Sequence, residues 1–292
     1  MDIGRIGIWT AAFEQQPWSA AAEAVAELDE LGYGAIWYPE GRGRDTFAQA
    51  AMILGGTKRI VAAPGIANLY ARDPMGMASG QRTICEAFPD RFLLGIGVSH
   101  RPAVEGIRGH QYGPPLTTMR NYLDGMDAAP YAPPYRGPEP RVLAALGPKM
   151  LELSASKANG AHPYFVPVEH TEQARKILGT GPILAPEQAV VLERDPATAR
   201  EIARTHVPNY LRLENYANNL RRLGFSEDDL AGAGSDKLVD AIVAWGSIED
   251  VVKRIQAHHD AGADHVCIQV LTATPRTIPL PEWRELAAAL LK

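Results

Sequence analysis

The chain has 292 residues, 46% of them hydrophobic and 22% charged, which is the balance of an ordinary globular protein. Its net charge of −5 gives no reason to expect a nucleic acid or an anionic membrane as a partner, and no apolar run approaches the roughly 18 residues of a membrane span. The two cysteines, Cys85 and Cys267, form neither a disulfide framework nor a zinc motif, so we expect no metal site. Together with the lack of a signal-peptide pattern in residues 1–10, this favours a cytoplasmic protein.

The N-terminal part of the chain alternates short apolar runs with helical patterns. Uninterrupted apolar runs of this length are typical of strands that are buried on both faces. The runs that predict strands are residues 3–9, 34–38, 59–66 and 91–100. Helices are predicted between them, and two of these begin at aspartates that suit the N-cap position, Asp45 and Asp73.

The second part of the chain contains four more predicted strands at less regular intervals. They are residues 141–146, 160–166, 183–192 and 265–271. Longer helical or loop excursions follow strands four and seven, at 101–140 and 208–232. Eight strands that alternate with helices predict parallel pairing, and eight strands close a barrel with a filled interior. We therefore predict an α/β fold in which residues 1–292 form one (βα)8 TIM barrel, with a doubly wound open sheet as the alternative.

Polar residues follow several of the predicted strands, at the end where parallel barrels carry their active sites. They include Glu40 after strand two, Ser99 and His100 after strand four, and His162 in strand six. Gly97 precedes Ser99 and allows a ligand to approach the backbone closely. These positions predict a site at one mouth of the barrel.

A possible anion site follows strand five. Gly147 ends the strand, Pro148 begins a helix, and Lys149 adds a mobile cation. The free backbone N–H groups and the dipole of a helix start attract negative charge, so this stretch suits a phosphate. The alternative is an ordinary helix start with a solvated lysine.

Four local patterns resemble the luciferase-like flavin and deazaflavin oxidoreductases, which are (βα)8 barrels. The most specific pattern is the run Arg-Phe-Leu-Leu-Gly-Ile-Gly at 91–97. The other three are residues 34–37, residues 72–74, and residues 146–150 leading into 159–164. Within this family, the chain looks most like the branch that uses coenzyme F-420, a 5-deazaflavin.

The resemblance implies a role for several positions. Gly65 and Ile66 fall where this branch has a non-proline cis peptide that backs the deazaflavin ring. Gly97, Val98 and Ser99 match the part of strand four that lines the ring, and Gly147 and Pro148 match the backbone nest for the cofactor phosphate. Lys149 and His162 are the remaining predicted cofactor-binding residues, and Glu40 matches an acidic position that contacts the ring.

The chain also departs from the family pattern. Some F-420 enzymes have a catalytic histidine where this chain has Gly41, and they have an acid where this chain has His100. His100 is therefore the first candidate for proton transfer, and Glu40 the second.

The predicted function is hydride transfer between coenzyme F-420 and a small organic substrate. An FMN-dependent monooxygenase and a non-catalytic flavin-binding barrel are the alternatives, and the family suggests a homodimer formed through helices two and three.

Other polar residues have simpler interpretations. His258 and His259 are predicted to lie on the surface of a helix. Asn215, Tyr216, Asn218 and Asn219 are predicted to form a solvated helix face rather than a pocket wall. Arg72 is predicted to pair with Asp73 or to cap a strand, and an ion pair with neighbouring arginines is the alternative role for Glu40.

Overall fold

The computed structural model describes residues 1–274 and 277–291, which contain eleven short strands and fourteen α-helices. The strands are β1 (Ile6–Trp9), β2 (Ala35–Tyr38), β3 (Val61–Pro64), β4 (Ala67–Asn68), β5 (Leu94–Gly97), β6 (Arg141–Leu143), β7 (Gly160–Ala161), β8 (Ile183–Leu184), β9 (Glu187–Val191), β10 (Val243–Trp245) and β11 (Val266–Val270). The helices are α1 (Trp18–Leu31), α2 (Thr46–Gly55), α3 (Pro74–Ala87), α4 (Arg101–Gly106), α5 (Pro115–Asp127), α6 (Pro148–Lys157), α7 (Val168–Leu178), α8 (Pro196–Arg204), α9 (Pro208–Leu211), α10 (Glu214–Arg222), α11 (Glu227–Leu230), α12 (Asp236–Ile242), α13 (Ile248–Asp260) and α14 (Leu280–Leu290).

The strands form two parallel sheets that close into one barrel. The sheet orders are β10-β9-β11-β1-β2-β3 and β4-β5-β6-β7-β8. β3 continues into β4 through Gly65 and Ile66, and β8 continues into β9 through Ala185 and Pro186. Each pair is therefore one bent strand that belongs to both sheets, and the barrel has eight strands. The predicted (βα)8 barrel is confirmed, and the open sheet is wrong.

Most strands are shorter than predicted, and in two of them the sequence shows why. Proline has no N–H to donate to a sheet, so Pro186 interrupts the run that was predicted as one strand over 183–192. The strand predicted over 160–166 ends at Ala161, because Pro163 follows and Phe165 has a left-handed backbone with φ of 58°. These breaks bend the strand ends at the mouth of the barrel.

The excursion after the seventh barrel strand is also more divided than predicted. The segment 208–232 contains three short helices, α9, α10 and α11, instead of one long helical segment. β10 was not predicted, because three residues between two helices give too short a pattern to recognise. It pairs with the end of β9 and so widens the sheet outside the barrel.

The helix starts agree with the predicted capping residues. The side chains of Asp45 and Asp73 accept hydrogen bonds from backbone N–H groups in the first turns of α2 and α3. Such caps satisfy donors that the helix itself leaves unpaired. α6 begins at Pro148 as predicted, directly after Gly147. The caps thus fix how the chain leaves the strand ends that surround the site.

The prediction that His258 lies on the surface is wrong. Its side chain is fully buried, and its ring nitrogens lie 2.8 Å from Thr171 Oγ1 and 2.8 Å from Gln188 Oε1. This network joins α7 and α13 to β9. His259 is half-buried, and its Nδ1 lies 3.0 Å from the carbonyl oxygen of Ala263.

Neither a membrane span nor a metal cluster is found in the described ranges. None of the helices there is long and apolar enough to cross a bilayer. The same residues contain no group of three or more histidine, cysteine, aspartate or glutamate side chains placed to bind a metal ion.

Candidate active site

A cavity of about 870 Å³ lies at the C-terminal ends of the barrel strands, and all eleven predicted site residues line it. These residues are Glu40, Gly65, Ile66, Gly97, Val98, Ser99, His100, Gly147, Pro148, Lys149 and His162. They come from five different strand ends, and the closed barrel brings them together. A second cavity of about 850 Å³, beside β10, is lined by none of them.

The Gly65–Ile66 peptide lies against the cavity, and it is cis as predicted. The indole N–H of Trp9 donates to the carbonyl oxygen of Gly65 at 3.2 Å. The Ile66 side chain packs against Gly97, where an added Cβ would lie only 2.6 Å from Ile66 Cδ1. Glycine at position 97 therefore gives Ile66 the space it occupies beside the cavity.

His162 presents an unused hydrogen-bond acceptor beside this peptide. Its Nδ1 lies 2.7 Å from the carbonyl oxygen of Ala185, which can only accept, so Nδ1 carries the hydrogen. Nε2 is then a bare lone pair, and it is buried without a partner in the described parts of the chain. The ring stacks on Trp37 with 4.3 Å between centroids. Burial lowers the pKa of His162 to about 4, so the imidazole is neutral near pH 7.

Glu40 lines the cavity, but its carboxylate is held by Arg72 rather than by the arginines next to it in sequence. Arg72 Nη1 donates to Glu40 Oε2 at 2.9 Å, and Arg72 Nη2 contacts the other carboxylate oxygen. The backbone N–H of Asn68 also donates to Oε2, at 2.8 Å. The expected pairing of Arg72 with Asp73 is wrong, because its second partner is Asp45 at 3.0 Å. This geometry favours an anchored anion, and the predicted proton-transfer role of Glu40 stays a prediction.

His100 lies at the start of α4, directly after Ser99, whose φ of 58° turns the chain at the strand end. Its ring centroid is 5.6 Å from that of Tyr216. Burial lowers the pKa of His100, and a hydrogen bond with the Asn215 side chain acts in the opposite direction. A neutral imidazole that lines the cavity can take up or return a proton, and the predicted proton-transfer role of His100 stays a prediction.

The start of α6 has a second cation that was not predicted. Arg222, in the last turn of α10, lines the cavity together with Lys149. Its guanidinium nitrogen Nη2 is 3.6 Å from the position that a Cβ at Gly147 would take, and it donates to Asn219 Oδ1 at 3.0 Å. Two cations beside a helix N-terminus suit an anionic group.

The prediction of a solvated face for residues 215–219 is wrong. Asn215, Tyr216 and Asn218 line the cavity, and Asn219 is buried. The sequence does contain a signal for this, because Tyr216, Ala217 and Leu220 form an apolar stripe at helical spacing. The three neighbouring asparagines obscured that stripe.

Comparison with known proteins gives consistent results. Residues 4–265 match the model of the luciferase-like monooxygenase family. A Mycobacterium tuberculosis protein named as a coenzyme F-420-dependent oxidoreductase is 25% identical and aligns over 94% of this chain and 95% of its own.

Two solved structures have the same fold at low sequence identity. An F-420-dependent secondary alcohol dehydrogenase in complex with an F-420-acetone adduct superposes with a TM-score of 0.74 at 14% identity, over 97% of this chain and 96% of the other. The oxygenating constituent of a Pseudomonas putida diketocamphane monooxygenase, in complex with FMN, has a TM-score of 0.72 at 15% identity, over 97% and 95%.

Proposed function

Because this chain belongs to the luciferase-like monooxygenase family, we propose that it transfers a hydride between coenzyme F-420 and a small organic substrate. The observation that carries the proposal is the largely apolar cavity at the C-terminal strand ends, which two cations, Lys149 and Arg222, line beside the start of α6. The relative named as an F-420-dependent oxidoreductase supports the choice of cofactor.

The lining residues fit a deazaflavin nucleotide. Trp9, Ile66 and Val98 offer apolar surface for a flat ring, and His162 lines the cavity beside them. Lys149 and Arg222, at the start of α6, can hold the cofactor phosphate. When bound, the deazaflavin would supply the hydride-exchanging carbon 5.

The chain itself would position the substrate, move the proton and exclude water. His100 would take up or return the proton that accompanies the hydride. The segments after the fourth and seventh barrel strands contribute Tyr112, Leu116, Tyr210 and Tyr216 to the cavity wall, and these limit access of water. Gly41 also lines the cavity, and an added Cβ there would meet no atom within 4 Å. The position at which related enzymes have a histidine is thus open space in this chain.

Titration with each cofactor tests this proposal. We expect coenzyme F-420 to bind at least about 100-fold more tightly than FMN, measured by fluorescence of the bound cofactor. The phosphate-free deazaflavin riboside should bind about tenfold or more weakly than F-420, because charge-assisted hydrogen bonds to the phosphate are lost. Tight binding of FMN without binding of F-420 would contradict the proposal.

That contrary result would instead support an FMN-dependent monooxygenase. The FMN-bound neighbour of the same fold is the observation that favours this second candidate. Because deazaflavin does not form the oxygen adduct that monooxygenases need, the two cofactors imply different reactions.

A His100→Gln variant tests the proposed proton transfer and the non-catalytic alternative together. Glutamine can donate and accept hydrogen bonds but cannot exchange a proton near neutral pH. We expect kcat to fall by about 100-fold or more, with F-420 affinity nearly unchanged. The histidine-dependent limb of the pH–rate profile should also disappear. His110→Gln, at an exposed histidine, is the control. Unchanged rates in His100→Gln on a substrate that the wild type turns over would exclude His100.

Two further properties belong to the same proposal. We propose a cytoplasmic homodimer formed through α2 and α3. Sedimentation equilibrium should give twice the mass of 31.6 kDa, and a monomer at micromolar concentration would exclude the dimer.

A further inference from the structure

One wall of the cavity is a cluster of aromatic rings contributed by two distant parts of the chain. Tyr164 and Phe165 follow β7, and His206, Tyr210 and Tyr216 come from the segment that runs from the end of α8 into α10. The ring centroids of Tyr210 and Tyr216 are 5.2 Å apart, and those of Tyr164 and Tyr210 are 5.1 Å apart. Three of these residues, Tyr164, Tyr210 and Tyr216, line the cavity. The wall therefore contains three hydroxyl groups among apolar surfaces.

Two of the three hydroxyl hydrogens are already used. The Tyr164 hydroxyl donates to Gln269 Oε1 at 2.6 Å, and a carbonyl oxygen can only accept. The Tyr164 and Tyr210 hydroxyl oxygens are 2.9 Å apart. Because the Tyr164 hydrogen is directed to Gln269, Tyr210 must be the donor in this second bond. Neither residue has a hydrogen left for a ligand.

The Tyr216 hydroxyl is different. No hydrogen bond to it is found within 1–274 and 277–291, although the residue is only 8% exposed. Its oxygen is not among the fully buried atoms that lack partners, and Tyr216 is one of the residues that line the cavity. Burial raises the pKa of Tyr216 well above its ordinary value, so the hydroxyl keeps its hydrogen at all working pH values. Tyr216 is therefore a free donor in an apolar wall.

The position of Tyr216 relates this donor to the proposed proton-transfer residue. The Tyr216 and His100 rings are 5.6 Å apart between centroids, and both residues line the cavity. Asn215, the residue before Tyr216, also lines the cavity. The first turn of α10 thus places the Tyr216 ring next to the His100 ring. A substrate oxygen between them could accept a hydrogen bond from Tyr216 while it exchanges a proton with His100.

We propose that the Tyr216 hydroxyl binds the oxygen of the substrate, and that the substrate is an apolar carbonyl compound or the corresponding alcohol. This inference rests on the proposed function. In the oxidative direction, the bound deazaflavin would supply the hydride acceptor for the substrate carbon, the carbon–oxygen bond would become a double bond, and His100 would take up the hydroxyl proton. The reverse direction returns both. Tyr216 keeps its own hydrogen and acts by orientation and by stabilising charge on the oxygen.

The apolar character of the substrate follows from the rest of the lining. Val98, Ala103, Leu116 and Met150 offer no polar side-chain group apart from the thioether of Met150. Glu40 is paired with Arg72, and Lys149 and Arg222 are at the start of α6. Asn215 and Asn218 also line the cavity, but most of the lining surface is apolar, and this favours a largely hydrocarbon skeleton.

The test compares two ligands that differ only at the oxygen. Acetophenone has a carbonyl group, and α-methylstyrene has a methylene group in its place. Binding of each to F-420-loaded protein is followed by ligand-detected NMR. We expect the wild type to bind acetophenone about five- to tenfold more tightly, since one hydrogen bond contributes on this scale. The Tyr216→Phe variant should lose this preference by weakening acetophenone binding only.

Tyr210→Phe is the matched control, because it removes a hydroxyl of the same wall whose hydrogen is already committed to Tyr164. It should retain the preference for acetophenone. Thermal unfolding and F-420 affinity, measured first, show that each variant is folded and loaded. If Tyr216→Phe keeps the preference, or if the wild type has none or binds neither compound, the inference is wrong.

The outcome is separable from the cofactor proposal. If F-420 does not bind, the proposed function fails at the loading step, and the same two ligands are compared on FMN-loaded or cofactor-free protein. Tyr216 should still select the carbonyl there. With a substrate that is turned over, Tyr216→Phe should also lower kcat/KM by about tenfold or more without changing the affinity for F-420.

Discussion

Acidification from pH 6.5 to pH 4.5 should lower the free energy of unfolding by about 4 kcal/mol per pH unit. Four buried histidines cause this loss: His162, His206, His258 and His265. Burial lowers their pKa values to about 4 for the first two and for His265, and to about 3 for His258. They stay neutral in the folded protein, but each binds a proton in the unfolded chain below pH 6.5. The unfolded state is therefore favoured as the pH falls.

The hydrogen bonds of two of these residues show why protonation is costly. His265 Nδ1 donates to the carbonyl oxygen of Gly4 at 2.8 Å, and its Nε2 accepts from the indole N–H of Trp37 at 3.1 Å. His258 donates from Nε2 to Gln188, so its Nδ1 accepts from the Thr171 hydroxyl. In each case a second ring hydrogen would point at an existing donor or displace it. Protonation thus breaks a buried bond as well as placing a charge in the core.

Glu187 acts in the opposite direction. Burial raises the pKa of this carboxyl to about 8, although a hydrogen bond from the Phe165 N–H favours its ionised form. It is protonated in the folded state and ionised in the unfolded chain, so its contribution is full below pH 4.5 and is lost as the pH rises through 8. On unfolding at mildly acidic pH, Glu187 releases about one proton while the four histidines bind about four. The net uptake is therefore about three protons. Stability should be greatest near pH 6.5.

Urea unfolding followed by circular dichroism at several pH values between 4 and 9 measures this dependence. Below pH 6.5, the slope of the free energy of unfolding against pH reports the number of protons taken up on unfolding. His258→Gln should reduce this number by about one, whereas His110→Gln, at an exposed position, should leave it unchanged. A Glu187→Gln variant should remove the decline above pH 6.5. A free energy of unfolding that stays constant down to pH 4 would contradict the prediction.

Local patterns were enough to predict the barrel and the place of the site. Capping aspartates and continuous apolar runs are encoded by neighbouring residues, so Asp45 and Asp73 cap α2 and α3 as expected, and α6 begins directly after Gly147. A closed barrel then brings the strand ends together. The eleven predicted site residues could therefore be chosen from their position at strand ends and from the family resemblance.

The missed residues depend on contacts between distant segments. Arg72 pairs with Glu40 only because β2 and β4 end side by side, and Arg222 reaches Gly147 from a helix that follows a different strand. His258 is another kind of error. It shares one helix face with Val251 and Ile255, all three of which are buried, and that spacing was visible in the sequence. Histidine is usually found at the surface, but the spacing of His258 on the helix indicates a buried position.

Alanine at Gly95 and at Gly97 should damage the protein in two different ways. A Cβ at Gly95 would lie 2.0 Å from the carbonyl oxygen of Pro64, a backbone atom of the neighbouring strand. Since β3 cannot move without opening the barrel, Gly95→Ala should lower the free energy of unfolding by about 3 kcal/mol or more. Urea unfolding measures this, and Gly55→Ala is the control, because an added Cβ there meets no atom within 4 Å.

At Gly97 the obstacle is a side chain rather than the backbone. The added Cβ would lie 2.6 Å from Cδ1 and Cγ1 of Ile66, whose side chain can rotate away. The free energy of unfolding of Gly97→Ala should therefore lie within about 1–2 kcal/mol of the wild-type value. Ile66 lines the cavity, so its displacement changes the surface against which the cofactor ring is proposed to lie, and F-420 affinity should fall by about tenfold or more. If Gly97→Ala binds F-420 normally, the ring does not lie against Ile66. If Gly95→Ala is as stable as Gly55→Ala, β3 and β5 are not packed as tightly as the structure indicates.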